Sequence, residues 1–116
     1  MSDLILWHNP RCSKSRQTLA LLHEKGHKPH VRLYLQDAPD ASEIENAVKR
    51  LGLASARDLM RVKEAEYAEM GLKNVEDEKA LIAAMAKTPR LIERPIAFKG
   101  GKAAIGRPPE NVLKLL

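Results

Sequence analysis

The apolar run Leu4-Ile5-Leu6-Trp7 is followed closely by the pair Asn9-Pro10. A continuous apolar run of this length, closed by a turn signal, is typical of a strand that is buried on both faces. We therefore predict a buried first strand at residues 4–7, followed by a sharp loop.

The next segments predict a helix and a second strand. No proline or glycine interrupts residues 13–25, which carry leucines at helical spacing, and Gly26 is the residue expected just beyond a helix C-terminus. From Val31 to Leu35 the apolar side chains occupy every second position, which is the period of a strand. Since strand–helix–strand crossovers are right-handed, the two strands should be parallel and adjacent.

The middle of the chain predicts helices only. Ser42 and Glu45 have the spacing of a capping box, an apolar stripe follows, and Gly52 marks the end of that helix. Charged or glycine-containing breaks separate three further short helices, predicted at residues 55–59, 64–70 and 77–87.

The C-terminal part predicts a hairpin and a last helix. Residues 91–98 are extended in pattern, Gly100-Gly101 separates them from residues 102–105, and Pro108-Pro109 opens a short apolar helix. The element order is that of a thioredoxin-like, glutaredoxin-like α/β fold with a mixed sheet. In it a helical insertion, roughly residues 40–88, separates the βαβ half from the ββα half. Residues 1–116 should form a single domain.

Charge and composition exclude several classes of function. The net charge of +5 favours anionic partners, but the basic residues are scattered and only Trp7, Tyr34, Tyr67 and Phe98 are aromatic, so nucleic-acid binding is not expected. No segment has the length of a membrane span, and the N-terminal apolar run is too short for a signal peptide. We therefore expect a cytoplasmic protein with no membrane partner.

The single cysteine, Cys12, is the candidate nucleophile. It lies between the first strand and the first helix, where free backbone N–H groups and the helix dipole stabilise an anion. His8, Arg11, Lys14 and Arg16 add charge or potential charge of the kind that lowers a thiol pKa. The alternative is a small buried hydrophobic residue, but structural cysteines usually lie in apolar runs and this segment is polar, so we favour a reactive thiol.

The spacing of Cys12 and Ser15 is that of a thioredoxin-type motif with serine in place of the second cysteine. Such a motif cannot close its own disulfide, so any resolving thiol must come from another molecule. A lone cysteine also excludes an internal disulfide and a cysteine-rich zinc cluster. Ser13 and Ser15 could equally be helix N-caps.

Downstream, Arg61, Arg94 and Arg107 are candidates for an oxyanion site, the last two each preceding a proline. The planar guanidinium fork matches tetrahedral oxyanions, and three converging forks could bind a trianion such as arsenate. The sequence does not show that they converge, and each taken alone could be a solvated surface arginine.

Four segments together resemble the glutaredoxin-coupled arsenate reductases. They are His8-Asn9-Pro10-x-Cys12-x-x-Ser15-Arg16, Leu33-Tyr34-Leu35, Arg94-Pro95-Ile96 and Arg107-Pro108, in the family's order and at near-identical spacing along essentially the whole chain.

The resemblance implies Cys12 as the nucleophile that attacks arsenate, with Arg94 and Arg107 holding the oxyanion. The family's third arginine corresponds best to Arg61, with Arg57 as the alternative. His8 would favour the thiolate by charge or hydrogen bonding, Ser15 would be a structural residue of the site, and the Arg94-Pro95 bond would be cis.

The resemblance also implies glutathione as co-substrate and glutaredoxin as protein partner, with no bound cofactor and no metal. The mechanism would run through a Cys12–arsenate adduct, displacement by glutathione, and regeneration by glutaredoxin with release of arsenite. Two alternatives remain open. One is a glutathione-dependent thiol/disulfide oxidoreductase that acts on mixed disulfides without arsenate. The other is a redox-responsive regulator that binds a protein partner, which Ser15 disfavours because it removes the second switch thiol.

Overall fold

The computed structural model describes residues 4–116, so the first three residues of the N-terminal segment lie outside the described part. Its four strands are β1 (Ile5–Trp7), β2 (His30–Arg32), β3 (Ile96–Lys99) and β4 (Lys102–Ile105). They form one sheet in the order β2-β1-β3-β4, in which β1 pairs with β2 in parallel and the other two pairs are antiparallel. The predicted mixed sheet, with its first two strands parallel and adjacent, is confirmed.

The run of apolar residues at β1 is explained by its central place in the sheet. Leu6 belongs to a core cluster with Leu22 of the first helix and Val112 near the C-terminus. Trp7, whose side chain alternates to the other face, packs its ring at 4.8 Å from that of Phe98. Because side chains from both faces of β1 are buried, this strand has no polar alternation.

The first helix, α1 (Ser13–Glu24), agrees with the predicted span of 13–25. Gly26 follows it with φ of +84°, a backbone conformation that glycine adopts without strain. Cys12 is the N-cap residue. The loop after β1 therefore leads directly into the helix, as predicted.

The second strand is shorter than predicted. It ends at Arg32, and residues 33–37 form a turn in which the backbone N–H groups of Gln36 and Asp37 donate to the Leu33 carbonyl. Leu35 is 41% exposed and the neighbouring Tyr34 is 1% exposed, so the alternation of apolar residues does not match the alternation of burial. β2 lies at the edge of the sheet, where few ladder bonds oppose the turn, so the predicted strand ends early.

The chain folds into two compact units, one formed by residues up to Asp37 with Arg94–Leu116, the other by Ala38–Glu93. The predicted insertion, residues 40–88, lies within the second unit. That unit holds α2 (Ala41–Leu51), α3 (Ala65–Glu69) and α4 (Glu78–Lys87), with 3₁₀ turns at Ala56–Leu59, Leu72–Asn74 and Pro89–Leu91. The single domain over residues 1–116 stays a prediction.

The predicted capping box of α2 is displaced by two residues. Asp40, not Ser42, is the N-cap: its side chain accepts the Glu43 N–H at 2.9 Å, and the Glu43 carboxylate accepts the Asp40 N–H at 3.1 Å. Ser42 instead donates its hydroxyl to Asp40 at 2.9 Å. Both pairs have the same spacing, and aspartate is as good an N-cap as serine, so the sequence pattern did not separate them.

The C-terminal hairpin brings two X-Pro bonds to one side of the first unit. Both Arg94-Pro95 and Arg107-Pro108 are cis, the first as predicted and the second not predicted. Between them, Gly106 donates its N–H to the Pro95 carbonyl at 2.9 Å. A Cβ at Gly106 would lie 2.6 Å from Thr18 Oγ1 and 2.8 Å from Pro95 Cγ, so no larger residue fits. The chain ends in a 3₁₀ helix, Pro109–Leu115, where a short helix was predicted.

Candidate active site

Cys12 lies where the sequence predicted, at the beginning of α1. The residue is only 8% exposed, its N–H donates to the Asn9 carbonyl and its own carbonyl accepts the Arg16 N–H, both at 3.0 Å. These two hydrogen bonds fix the backbone of Cys12 at the start of the helix. The thiol is therefore fixed beside the helix N-terminus, where an anion is stabilised.

The pKa of the Cys12 thiol is lowered, as predicted. Burial is the largest single influence and raises the pKa, but it is outweighed by the backbone N–H of Ser15, the positive charge of Arg94, the backbone N–H of Lys14 and a side-chain hydrogen bond from Arg94. The sequence attributed the effect to the N–H groups at the helix N-terminus, which the structure bears out, and to cations near Cys12 in the chain. The structure instead identifies Arg94, which is distant in sequence, as the charge responsible.

His8 does not supply the positive charge that was predicted as one of its two possible contributions. Its imidazole is buried, and burial together with the charge of Arg16 lowers its pKa, so the ring is neutral at neutral pH. Its Nδ1 is hydrogen-bonded to Ser15 Oγ at 2.6 Å. The described hydrogen bond of His8 is thus made to Ser15, and a direct effect of His8 on the Cys12 thiolate stays a prediction.

Ser15 links the loop before Cys12 to the helix after it. Its side chain is fully buried, and its Oγ accepts the Asn9 backbone N–H at 3.0 Å in addition to the bond with His8. The alternative that Ser13 or Ser15 is the N-cap is wrong, because Cys12 holds that position. Ser15 has instead the structural place at the site that the resemblance implied.

Replacing Ser15 with alanine should lower the free energy of unfolding by about 1–3 kcal/mol, because a buried imidazole nitrogen and a backbone N–H lose their partner. Chemical denaturation measures the change. Ser13→Ala is the matched control, since Ser13 is an exposed serine of the same helix turn, and its effect should stay within about 0.5 kcal/mol. Equal stability of the two variants would contradict the linking role of Ser15.

Arg94 and Arg107 meet at the Cys12 thiol. Nη2 of Arg107 lies 3.7 Å from Cys12 Sγ, and its Nε donates to the Arg94 carbonyl at 2.8 Å. Arg94 is half-buried and Arg107 is exposed. Pro95 lies between Arg94 and β3 and is buried. The two X-Pro segments thus place two guanidinium groups around one thiol.

Arg57 and Arg61 belong to the helical unit and differ in their surroundings. The Arg57 guanidinium donates to the Leu72 carbonyl at 3.0 Å, to the Val75 carbonyl and to the Tyr67 hydroxyl, so its donors are used inside the unit. Arg61 forms an ion pair with the Glu64 carboxylate. Arg57 is therefore a structural residue, which leaves Arg61 as the better of the two candidates; its role at the oxyanion stays a prediction.

Asn9 was used in the sequence analysis as a turn signal and was not named as a site residue. Its side-chain oxygen accepts the Arg11 N–H and its carbonyl accepts the Cys12 N–H, both at 3.0 Å, while its own N–H donates to Ser15. The turn signal of an asparagine before proline predicted the loop but not these hydrogen bonds. Asn9 gives the loop its shape and so fixes the position of Cys12.

Residues 4–116 include no group of three histidine, cysteine, aspartate or glutamate side chains that could hold a metal ion. Within the same residues, no helix is long and apolar enough to cross a membrane. The first unit does hold a thiol of lowered pKa next to two guanidinium groups. This arrangement can bind a tetrahedral oxyanion and attack its central atom.

Comparison with known proteins agrees with this geometry. The model of the ArsC family matches residues 7–115. An arsenate reductase of Neisseria meningitidis is 50% identical over 117 residues, with 100% of both chains covered. An uncharacterised Escherichia coli protein, YfgD, is 53% identical over 112 residues, covering 96% of this chain and 94% of that one. The solved structure of an arsenate reductase from Vibrio cholerae has a TM-score of 0.95 at 47% identity and covers 97% of each chain. The predicted resemblance and thioredoxin-like fold are confirmed.

Proposed function

We propose that this chain, which belongs to the ArsC family, reduces arsenate to arsenite through its Cys12 thiolate, with electrons from glutathione and glutaredoxin. The observation that carries the proposal is the convergence of Arg94 and Arg107 on a thiol whose pKa is lowered. A nucleophile and two cationic donors thereby lie side by side, as a thiol-dependent oxyanion reductase requires.

The first step would be attack of the Cys12 thiolate on arsenic. A sulfur–arsenic bond forms, one arsenic–oxygen bond breaks, and the leaving oxygen departs as water after taking up protons from the arsenate hydroxyl and the solvent. Arg94 and Arg107 would hold the remaining oxygens and offset their charge, which is concentrated near the thiolate itself. Without these cations, two anions would have to approach each other unaided.

The next steps would need thiols from other molecules, because the sequence contains no second cysteine. A glutathione thiolate attacks Cys12 Sγ, a disulfide forms, and the electron pair of the breaking sulfur–arsenic bond moves to arsenic, giving arsenite. Glutaredoxin then attacks the glutathione sulfur of that disulfide and frees Cys12, and a second glutathione reduces glutaredoxin. In sum, arsenate and two glutathione molecules give arsenite, glutathione disulfide and water.

In this proposal the remaining residues of the site bind the oxyanion or position the groups that react with it. Arg61 would be a third ligand of the oxyanion, while His8 and Ser15 hold the loop that presents Cys12. The buried Pro95 anchors the segment that carries Arg94. The scheme calls for no bound cofactor, and its use of free thiols and glutathione suits the reducing cytoplasm that we propose as its location.

A coupled assay with NADPH, glutathione reductase, glutathione, glutaredoxin and arsenate tests the function. We expect NADPH oxidation that requires arsenate and that stops when either glutathione or glutaredoxin is left out. Oxidation that proceeds on a glutathionylated peptide and is indifferent to arsenate would instead favour a thiol/disulfide oxidoreductase. No turnover with either substrate would favour the redox-regulator class.

A further inference from the structure

A groove of about 250 Å³ lies beside the Cys12 loop in the first unit. The loop of residues 8–11 forms one wall, and Leu33, Leu35 and Gln36 from the turn after β2 form the other. None of these residues takes part in the proposed oxyanion site except through the loop itself. The groove therefore adjoins the loop that leads into Cys12, and neither Arg94 nor Arg107 lines it.

Both walls of the groove are held by internal hydrogen bonds. On one side, Asn9 accepts the Arg11 N–H at 3.0 Å, and Arg16 donates to the Pro10 carbonyl at 2.9 Å. On the other side, the Leu33 carbonyl accepts the Gln36 N–H at 2.9 Å. Because the loop and the turn are already fixed, a ligand that binds in the groove would lose little free energy in ordering them.

The Arg11 side chain gives the groove a positive charge that can bind a ligand. Arg11 is exposed, and within residues 4–116 its guanidinium makes no ion pair or hydrogen bond, only its backbone N–H being used. Asp37, the acidic residue that adjoins this turn, is paired with Arg32 at 3.3 Å. A carboxylate entering the groove would thus meet a free guanidinium with no competing acid among the lining residues.

We propose that this groove seats glutathione, with Arg11 binding one of its two carboxylates. The proposal rests on the use of glutathione in the proposed function and assigns it a place. The volume of the groove suits part of a tripeptide rather than a folded chain. The two leucines can contact the methylene groups of glutathione, and Gln36 offers donors and an acceptor for its peptide groups. Arg11 directly precedes Cys12, so the loop that carries the nucleophile also forms one wall of the groove.

The direct test is the reaction of Cys12 with oxidised glutathione, in which the thiolate displaces one glutathione thiolate and a mixed disulfide forms. It needs no arsenate and no glutaredoxin. We expect Arg11→Ala to slow this reaction about fivefold, the size expected for losing a partly exposed ion pair. The reaction with bis(2-hydroxyethyl) disulfide, which is uncharged, should be unchanged, and this reaction controls for any change in the reactivity of Cys12 itself.

Two further variants make the test specific to the groove. Lys14→Ala removes an exposed cation two residues from Cys12 that does not line the groove, and it should leave the ratio of the two rates unchanged. Leu35→Glu places a carboxylate in the groove at a side chain already 41% exposed, so folding is preserved, and it should slow the reaction with oxidised glutathione selectively. In the coupled assay, Arg11→Ala should raise the KM for glutathione and leave the KM for arsenate unchanged.

The two proposals fail separately. If Arg11→Ala and Leu35→Glu both react with the two disulfides in the wild-type ratio, the groove is not the glutathione seat, whatever the arsenate assay shows. If the selectivity for oxidised glutathione is lost in these variants but wild type shows no arsenate-dependent turnover, the seat stands and the arsenate reaction does not.

Discussion

Replacing Cys12 with serine should abolish arsenate-dependent turnover, lowering kcat by at least about a thousandfold, as expected when a covalent nucleophile is removed. A serine hydroxyl at this position gains nothing from the helix N-terminus that would make it an anion at neutral pH, whereas the thiol pKa is already lowered. The coupled NADPH assay measures the loss. No second cysteine in the sequence can substitute for it.

The same substitution should leave the fold intact, so that a loss of turnover reports on the chemistry alone. Cys12 is the N-cap of α1 and its side chain makes no capping hydrogen bond, while serine is among the preferred N-caps. Thermal unfolding should therefore occur at the same or a slightly higher temperature. Arsenate binding, followed by calorimetry, should persist because Arg94 and Arg107 remain. Residual turnover within tenfold of wild type would contradict the nucleophile assignment.

The fold was largely predictable because its signals are local. The apolar run of β1, the break at Gly26 and the Gly100-Gly101 turn each mark an element boundary without knowledge of the rest of the chain. The extent of β2 was not predictable in this way. Whether Tyr34 or Leu35 points inward depends on what the turn packs against, and an edge strand has too few partners to impose its own alternation.

The residues of the site were predictable from the sequence, but the charges and pKa shifts of those residues were not. Cys12 was identified from its polar surroundings, and Arg94 and Arg107 from the resemblance, yet only the fold shows that the C-terminal hairpin brings them to the thiol. The neutral state of His8 follows from its burial and its bond to Ser15. Burial is a property of tertiary packing, so a histidine near a cysteine in sequence suggests a charge that the folded chain removes.

Replacing Arg94 with alanine should lower kcat/KM for arsenate about a hundredfold, the effect expected when a charged donor is removed from a site that stabilises a developing anion. It should also change the pH dependence. Arg94 stabilises the thiolate, the charged form, and so lowers the pKa of Cys12; its removal raises that pKa. The rise of activity with pH should therefore move to higher pH, and iodoacetamide alkylation of Cys12 should show the same displacement.

Arg107→Ala is the matched comparison, because Arg107 contacts the same sulfur at 3.7 Å, while Arg94 is the charge that lowers the Cys12 pKa. The exposed guanidinium of Arg107 is screened by water, whereas that of Arg94 is half-buried and acts at lower dielectric. We expect both variants to weaken arsenate binding, and Arg94→Ala to raise the thiol pKa more than Arg107→Ala does.

The variant Arg94→Lys tests the effect of the positive charge separately from the effect of the planar guanidinium group. It keeps the positive charge, so most of the lowered Cys12 pKa should return, but it lacks the planar fork, so arsenate binding should recover only in part. An alkylation profile for Arg94→Ala identical to that of wild type would show that the helix N-terminus alone stabilises the thiolate. In that case Arg94 would act on the oxyanion only, and the loss of kcat/KM would be the same at every pH.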